Sequence, residues 1–260
     1  MKVSKIIGLV LFLGNACQHV DAMEQKTSVD DLIDALCEAR KKETSADAYR
    51  RWQTLLKAEQ AVAQLAHRNK QEFIKALRSG NLDDVKRLIK APGVDVNKTT
   101  FNDQTPLMLA AEEGTAEVVK FLLETGADPK LEIPGRTALL NAVAKPNNIE
   151  TVRLLIAAGA NVNARNQYGS TPLIQAANQG STEIAKMLID AHADVNIAGA
   201  HSKTALHQAI GFKNMELAKY LLEHGADPVI EGGTETPLAL AKRVGEAMEK
   251  LIQEHINSAK

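Results

Sequence analysis

The sequence is poor in the features that usually announce chemistry. Lys and Arg together number 31 against 32 Asp and Glu, for a net charge of −1, so the bulk basic signal of a nucleic-acid binder is missing. The chain has only two cysteines, Cys17 and Cys37, and few aromatics, with Trp52 the single tryptophan. The apolar stretch at residues 6–13 is too short to span a bilayer comfortably. The seven histidines are scattered, with no metal-ligand spacing such as His-Glu-x-x-His. There is no Gly-x-Ser-x-Gly elbow and no phosphate-binding glycine loop, and Gly232-Gly233 reads as a turn. No catalytic, cofactor-binding or metal-binding residue is assigned, and the expectation is a protein that is not an enzyme.

Residues 1–22 have the order of a secretory signal: basic Lys2 and Lys5, the short apolar core, then Val20-Asp21-Ala22 for cleavage after Ala22. A mature chain would then start at Met23 in a periplasmic or secreted location, without a membrane span. Three alternatives stay open: a retained anchor, a true start at Met23 without export, or a membrane-anchored lipoprotein acylated at Cys17 after Gly14-Asn15-Ala16. Cleavage after Ala22 leaves Cys37 alone, so no intramolecular disulfide can form and packing must hold the fold.

What the sequence does have is a repeat. Thr105-Pro106-Leu107, Thr137-Ala138-Leu139, Thr171-Pro172-Leu173, Thr204-Ala205-Leu206 and Thr236-Pro237-Leu238 place their threonines 32, 34, 33 and 32 residues apart. Each of the first four leads into an apolar stretch and a small-residue turn: Gly126-Ala127-Asp128, Gly159-Ala160-Asn161, His192-Ala193-Asp194 and Gly225-Ala226-Asp227. The threonine caps a first helix. Proline suits the first helical position, where its missing N–H costs nothing. Small residues such as Ala110 and Ala111 let the next unit approach, and Gly114 ends the helix in a left-handed conformation. A second helix follows, with Val118, Val119, Phe121, Leu122 and Leu123 apolar. Where Gly114 would recur, the third unit has Lys145-Pro146-Asn147-Asn148 with one residue inserted. The fifth has Lys213-Asn214, where asparagine is the expected left-handed residue. His192 replaces the second glycine of the fourth unit and reads as a strained helix end.

On these residues the chain resembles the ankyrin-repeat family, whose period is about 33. The implied fold is all-α, a solenoid of helix-turn-helix units with projecting loops. About six units are expected over residues 70–256. The first (70–97) is degenerate, with Phe73, Ile74 and Leu77 on its first helix, and the last carries a polar outer helix. Residues 23–69 form a leading helical segment, read as an N-terminal hairpin within residues 28–67 that caps the array. Val29, Leu32, Ile33, Leu36 and Cys37 lie along its first helix, and Tyr49, Trp52, Leu55, Leu56, Val62 and Leu65 along its second.

The resemblance also implies a function: binding a protein partner, as a monomer, through the concave face and loop tips, with no cofactor and no nucleic acid. Exported bacterial members suggest a periplasmic enzyme such as a catalase as partner, or a host protein if the chain is an effector. Carried over position by position, the contacts are Phe101, Asn102, Gln104, Glu112 and Glu113, then Arg136 and Lys145. Further along come Gln167, Tyr168, Asn178 and Gln179, and finally His201, Lys203 and Phe212. The aromatics Phe101, Tyr168 and Phe212 stand out, because exposed aromatics anchor interfaces. His207, after Thr204-Ala205-Leu206, is assigned to the scaffold.

Overall fold

A computed structural model of the protein describes residues 46–98, 103–230 and 235–258. These form twelve α-helices and one short 3₁₀ turn, with no strand among the described residues, as the all-α expectation requires. The first half of the expected leading hairpin, including Val29, Leu32 and Cys37, lies outside the described residues.

The second half does not end where its pattern suggested. Helix α1 (Ala46–Ser79) runs unbroken from the leading segment through the first helix of the first unit. Residues 46–79 contain neither glycine nor proline, and the first unit lacks the Thr-Pro start that would interrupt the preceding helix. Gly80, at φ +67°, ends it. The described residues divide into two compact units, 46–71 with 90–94 and 72–89 with 95–258. In the smaller unit the buried Asn69 donates Nδ2–H to the Pro92 carbonyl at 3.1 Å.

The larger unit consists of two rows of helices. First helices α3 (Pro106–Glu113), α5 (Ala138–Val143), α7 (Pro172–Asn178), α9 (Ala205–Gly211) and α11 (Pro237–Val244) pack each against the next. Second helices α2 (Leu82–Leu88), α4 (Ala116–Glu124), α6 (Ile149–Ala157), α8 (Thr182–Asp190), α10 (Met215–Glu223) and α12 (Glu246–Ser258) do the same. Leu122, Leu155, Leu188 and Leu221 recur through the core and are completely buried, as are Ala110, Ala142, Ala176 and Ala209 opposite them. Each unit covers its neighbour's apolar face, so stability is shared along the row.

The helix ends follow the expected chemistry, with one exchange. Thr105, Thr137, Thr171 and Thr236 accept the amide of the third residue on, at 3.2, 3.1, 3.3 and 3.2 Å. Gly114 is left-handed at φ +79° and His192 at φ +64°. In the fifth unit, however, the left-handed residue is Lys213, at φ +57°, and not Asn214. Asn214 is instead recruited as a cap: its Oδ1 accepts the Leu217 amide at 3.0 Å and its Nδ2 donates to Thr182 Oγ1 at 2.8 Å.

A second polar register has a constant spacing of 33. Asp95, Asp128, Asn161, Asp194 and Asp227 each accept, through Oδ1, the amide two residues on, at 2.8 to 3.0 Å. Where that next position is asparagine, its side chain reaches the following unit. Asn97 accepts the Asp128 amide at 2.8 Å and donates to the Gly126 carbonyl at 3.0 Å. Asn196 does the same with Asp227 at 2.8 Å and Gly225 at 2.9 Å, and Asn163 accepts the Asp194 amide at 2.9 Å. The missing rung is at Lys130, which occupies the corresponding position between the second and third units. Lys130→Asn places an acceptor for the Asn161 amide and a donor for the Gly159 carbonyl. We expect it to raise stability by about 1 kcal/mol, the net value of a hydrogen bond or two. Urea denaturation checks this, and an unchanged or lowered midpoint refutes it.

Candidate functional site

The face to which the contact residues were assigned is built from loop tips and the outward sides of the first helices. In the third unit the tip is the two-residue turn Pro134-Gly135, closed by Ile133 and Arg136, whose amides donate to each other's carbonyls at 3.1 and 2.7 Å. In the fourth, Asn166 Oδ1 accepts the amides of both Tyr168 and Ser170, at 2.9 and 3.0 Å. The fifth closes through Gly199 N–H on the Lys203 carbonyl at 3.0 Å, around the 3₁₀ turn Ala200–Ser202. Successive tips touch. Arg165 Nη1 donates to the Ala198 carbonyl at 3.2 Å, and the backbone of Gly135 lies against that of Gln167.

Of the assigned residues, Phe101 and Asn102 lie outside the described residues, and for His201 only the backbone is described. Gln104 is buried, and its Nε2 donates to Glu112 at 2.8 Å. Glu112 and Glu113 are exposed on α3, and Glu113 pairs with Lys145 of the next unit at 3.6 Å. Arg136, Gln167, Asn178 and Lys203 are exposed. Gln179 is half-buried and works across the repeat, donating Nε2–H to the Ala144 carbonyl at 3.0 Å.

The two described aromatics stand clear of the scaffold. Tyr168 is 67% exposed and Phe212 57% exposed. Asn166 holds the Tyr168 tip entirely through backbone amides, and the Tyr168 hydroxyl has no hydrogen-bond partner among the described residues. Phe212 sits on the C-cap of α9 rather than filling the space between first helices.

Four of the assigned residues, Gln104, Glu112, Glu113 and Arg136, line one groove of about 700 Å³ across the first three units. The sequence reading missed its other walls: Arg78 at the end of α1, Leu109, Asn141 and Ala144. The repeat register could have found them, because Arg78 and Ala144 occupy the place of Glu112 in the adjoining units, and Asn141 that of Leu109.

His207 is buried and belongs to the scaffold. Its Nδ1 accepts the Thr204 amide at 3.2 Å and lies 2.9 Å from Thr204 Oγ1, while its Nε2 lies 3.1 Å from the Glu235 carbonyl. A carbonyl only accepts, so the proton sits on Nε2 and joins the fifth unit to the sixth. Burial holds its pKa below the ordinary histidine value, with the Glu235 hydrogen bond acting in the opposite direction. The second-helix row is tied by charge, Lys186 to Glu216 at 2.6 Å and Tyr220 to Asp190. The Asp190 hydrogen bond raises the Tyr220 phenol. Among the described residues no three His, Cys, Asp or Glu are placed to hold a metal ion, and no helix is long and apolar enough to cross a membrane.

Comparison with known proteins matches residues 73–166 and 139–232 to the family described as "Ankyrin repeats (3 copies)", which together span more than half of the chain. Among curated proteins, myotrophin of Xenopus tropicalis is 42% identical over 57 residues, which is 22% of this chain and 48% of myotrophin. "Ankyrin repeat, SAM and basic leucine zipper domain-containing protein 1" is 39% identical over 70 residues in Mus musculus, 27% of this chain and 14% of that protein. The Saimiri boliviensis boliviensis protein of that name is 37% identical over 73 residues, 28% of this chain and 15% of its own length. The similarity to these relatives is therefore confined to a fraction of each.

Proposed function

The chain belongs to the ankyrin-repeat family, and from that premise we propose a non-enzymatic, exported protein that grips a protein partner through its loop tips and first-helix face. The observation that carries this reading is Tyr168: a large side chain, 67% exposed, on a tip whose backbone is fixed without it. Ordering a rigid aromatic at an interface costs little conformational entropy, and such residues dominate interface energetics. The protein acts as a monomer in the periplasm or outside the cell.

The partner is identified by affinity capture with the full chain and then titrated. Tyr168→Ala should weaken that complex by about 2 kcal/mol, roughly 30-fold, while changing folding stability by only about 0.5 kcal/mol. A collapsed melting temperature with normal binding by the remaining folded protein would make Tyr168 part of the scaffold. Export has its own measurement. N-terminal sequencing from the envelope fraction should read Met23, and an intact Met1 in the cytosol or lipid on Cys17 would overturn that part of the proposal.

A further inference from the structure

We propose that the groove across the first three units receives the carboxylate of an aspartate or glutamate carried on an extended segment of the partner protein. This rests on the binding-face reading above and names the chemistry that the face selects.

The four charged side chains that line the groove sum to zero but are not equally engaged. Glu113 is matched by Lys145 at 3.6 Å, and Glu112 is held by the Gln104 amide at 2.8 Å. Arg78 and Arg136 line the same concavity, and neither guanidinium has an ion-pair or hydrogen-bond partner among the described residues. The lining charges balance in number, two arginines against two glutamates, so the preference for an anion rests on which of them are already partnered. Solitary arginines on an open surface are ordinary. Two facing one concavity with Leu109 and Ala144 in its walls are different, because low-dielectric walls focus their field on whatever enters. The guanidinium fork matches a carboxylate bidentately. Glu112 shares the groove, which disfavours a phosphate carrying nearly two charges and leaves the singly charged carboxylate as the fitting anion.

The surface next to the groove indicates the conformation of the segment. At about 700 Å³ the space holds more than one side chain. In the register of Leu109 and Asn141, the next units present Gln175 and Gln208, and in the register of Glu112 and Ala144 they present Asn178 and Gly211. The side chains of Gln175, Asn178 and Gln208 make no hydrogen bond among the described residues. Each amide offers both donors and an acceptor, the complement of a peptide group. A helical partner has already paired its own backbone, whereas an extended segment has not.

The test pans a phage-displayed random dodecapeptide library on the immobilised full chain, then titrates synthetic versions of the enriched peptides. We expect an Asp or Glu in each enriched peptide. Arg78→Glu and Arg136→Glu should each weaken binding about tenfold or more with the melting temperature unchanged, and replacing the peptide's acid with Lys should restore affinity to the variants. Enriched peptides that are neutral or basic yet lose affinity with Tyr168→Ala would overturn the carboxylate assignment and leave the binding face standing. Peptides indifferent both to Tyr168→Ala and to the arginine changes would overturn both, and a selection that enriches nothing would also refute the assignment.

Discussion

Asn148→Leu is expected to destabilise the protein by about 3 kcal/mol, well beyond the roughly 0.5 kcal/mol of an ordinary surface substitution. Asn148 is the residue before α6, is buried, and donates through Nδ2 to the Ala111 carbonyl at 3.0 Å and the Ala142 carbonyl at 3.2 Å. Ala111 belongs to the last turn of α3 in the preceding unit, where helix geometry leaves carbonyls without intrahelical donors. Leucine has nearly the shape of asparagine but nothing to donate. The Ala142 carbonyl keeps the Lys145 amide at 3.3 Å, so the loss falls on the Ala111 carbonyl, and a carbonyl deprived of its partner inside the protein costs about 1–3 kcal/mol. Urea unfolding followed by circular dichroism measures the loss. A decrease below about 1 kcal/mol, the ordinary net value of one hydrogen bond, would mean that water replaces the amide and that the bond contributes little to coupling between units.

Gly135→Ala should cost about 2–5 kcal/mol, and for two separable reasons. Gly135 has φ +75° behind Pro134 at the tip of the third unit, the arrangement of a turn that needs left-handed backbone at its third residue. Forcing an L side chain into that region costs about 1–2 kcal/mol. The added Cβ would also stand 2.7 Å from the backbone nitrogen of Gln167, closer than packing allows, and overpacking of this kind costs about 1–3 kcal/mol. Gly126→Ala is the control. Its φ is +93° with nothing within 4 Å of the new Cβ, so it carries only the conformational penalty. Equal thermal shifts for the two variants would rule out the contact between tips. Because Gln167 adjoins Tyr168, Gly135→Ala should also weaken partner binding.

The repeat was legible because its spaced features coincide: the threonine caps, the first-position prolines and the glycine stops are all found in place. The threonine spacing of 32 to 34 measures loop length, however, while the aspartate and asparagine register keeps the constant 33. The inserted residue in the third unit's helical half is offset by its short Pro134-Gly135 loop. Continuity of α1 across residues 69 and 70 was harder to read, since an amphipathic stripe does not show where a helix lacking a stop will end. The exchange of roles between Lys213 and Asn214 reflects a competition invisible in local propensity. Asparagine tolerates left-handed backbone, but here it contributes more as a cap bonded to Thr182 of the neighbouring unit. In the groove, Glu112, Glu113 and Arg136 were found individually. Their grouping with Arg78 follows from the register counted back from Gly80 and Gly114, which the first unit's missing threonine obscures.

The tip of the fourth unit separates two kinds of selection. Asn166 fixes its shape through two backbone amides, and Gly169 supplies the turn at φ +73°. Folding therefore places little demand on the side chain at position 168, and under the proposed function partner choice is what would constrain it. Under that proposal, substitutions there would be silent to the processes that remove misfolded chains and visible to recognition. A lineage carrying this fold could then exchange one partner for another through that position without first passing through an unstable intermediate.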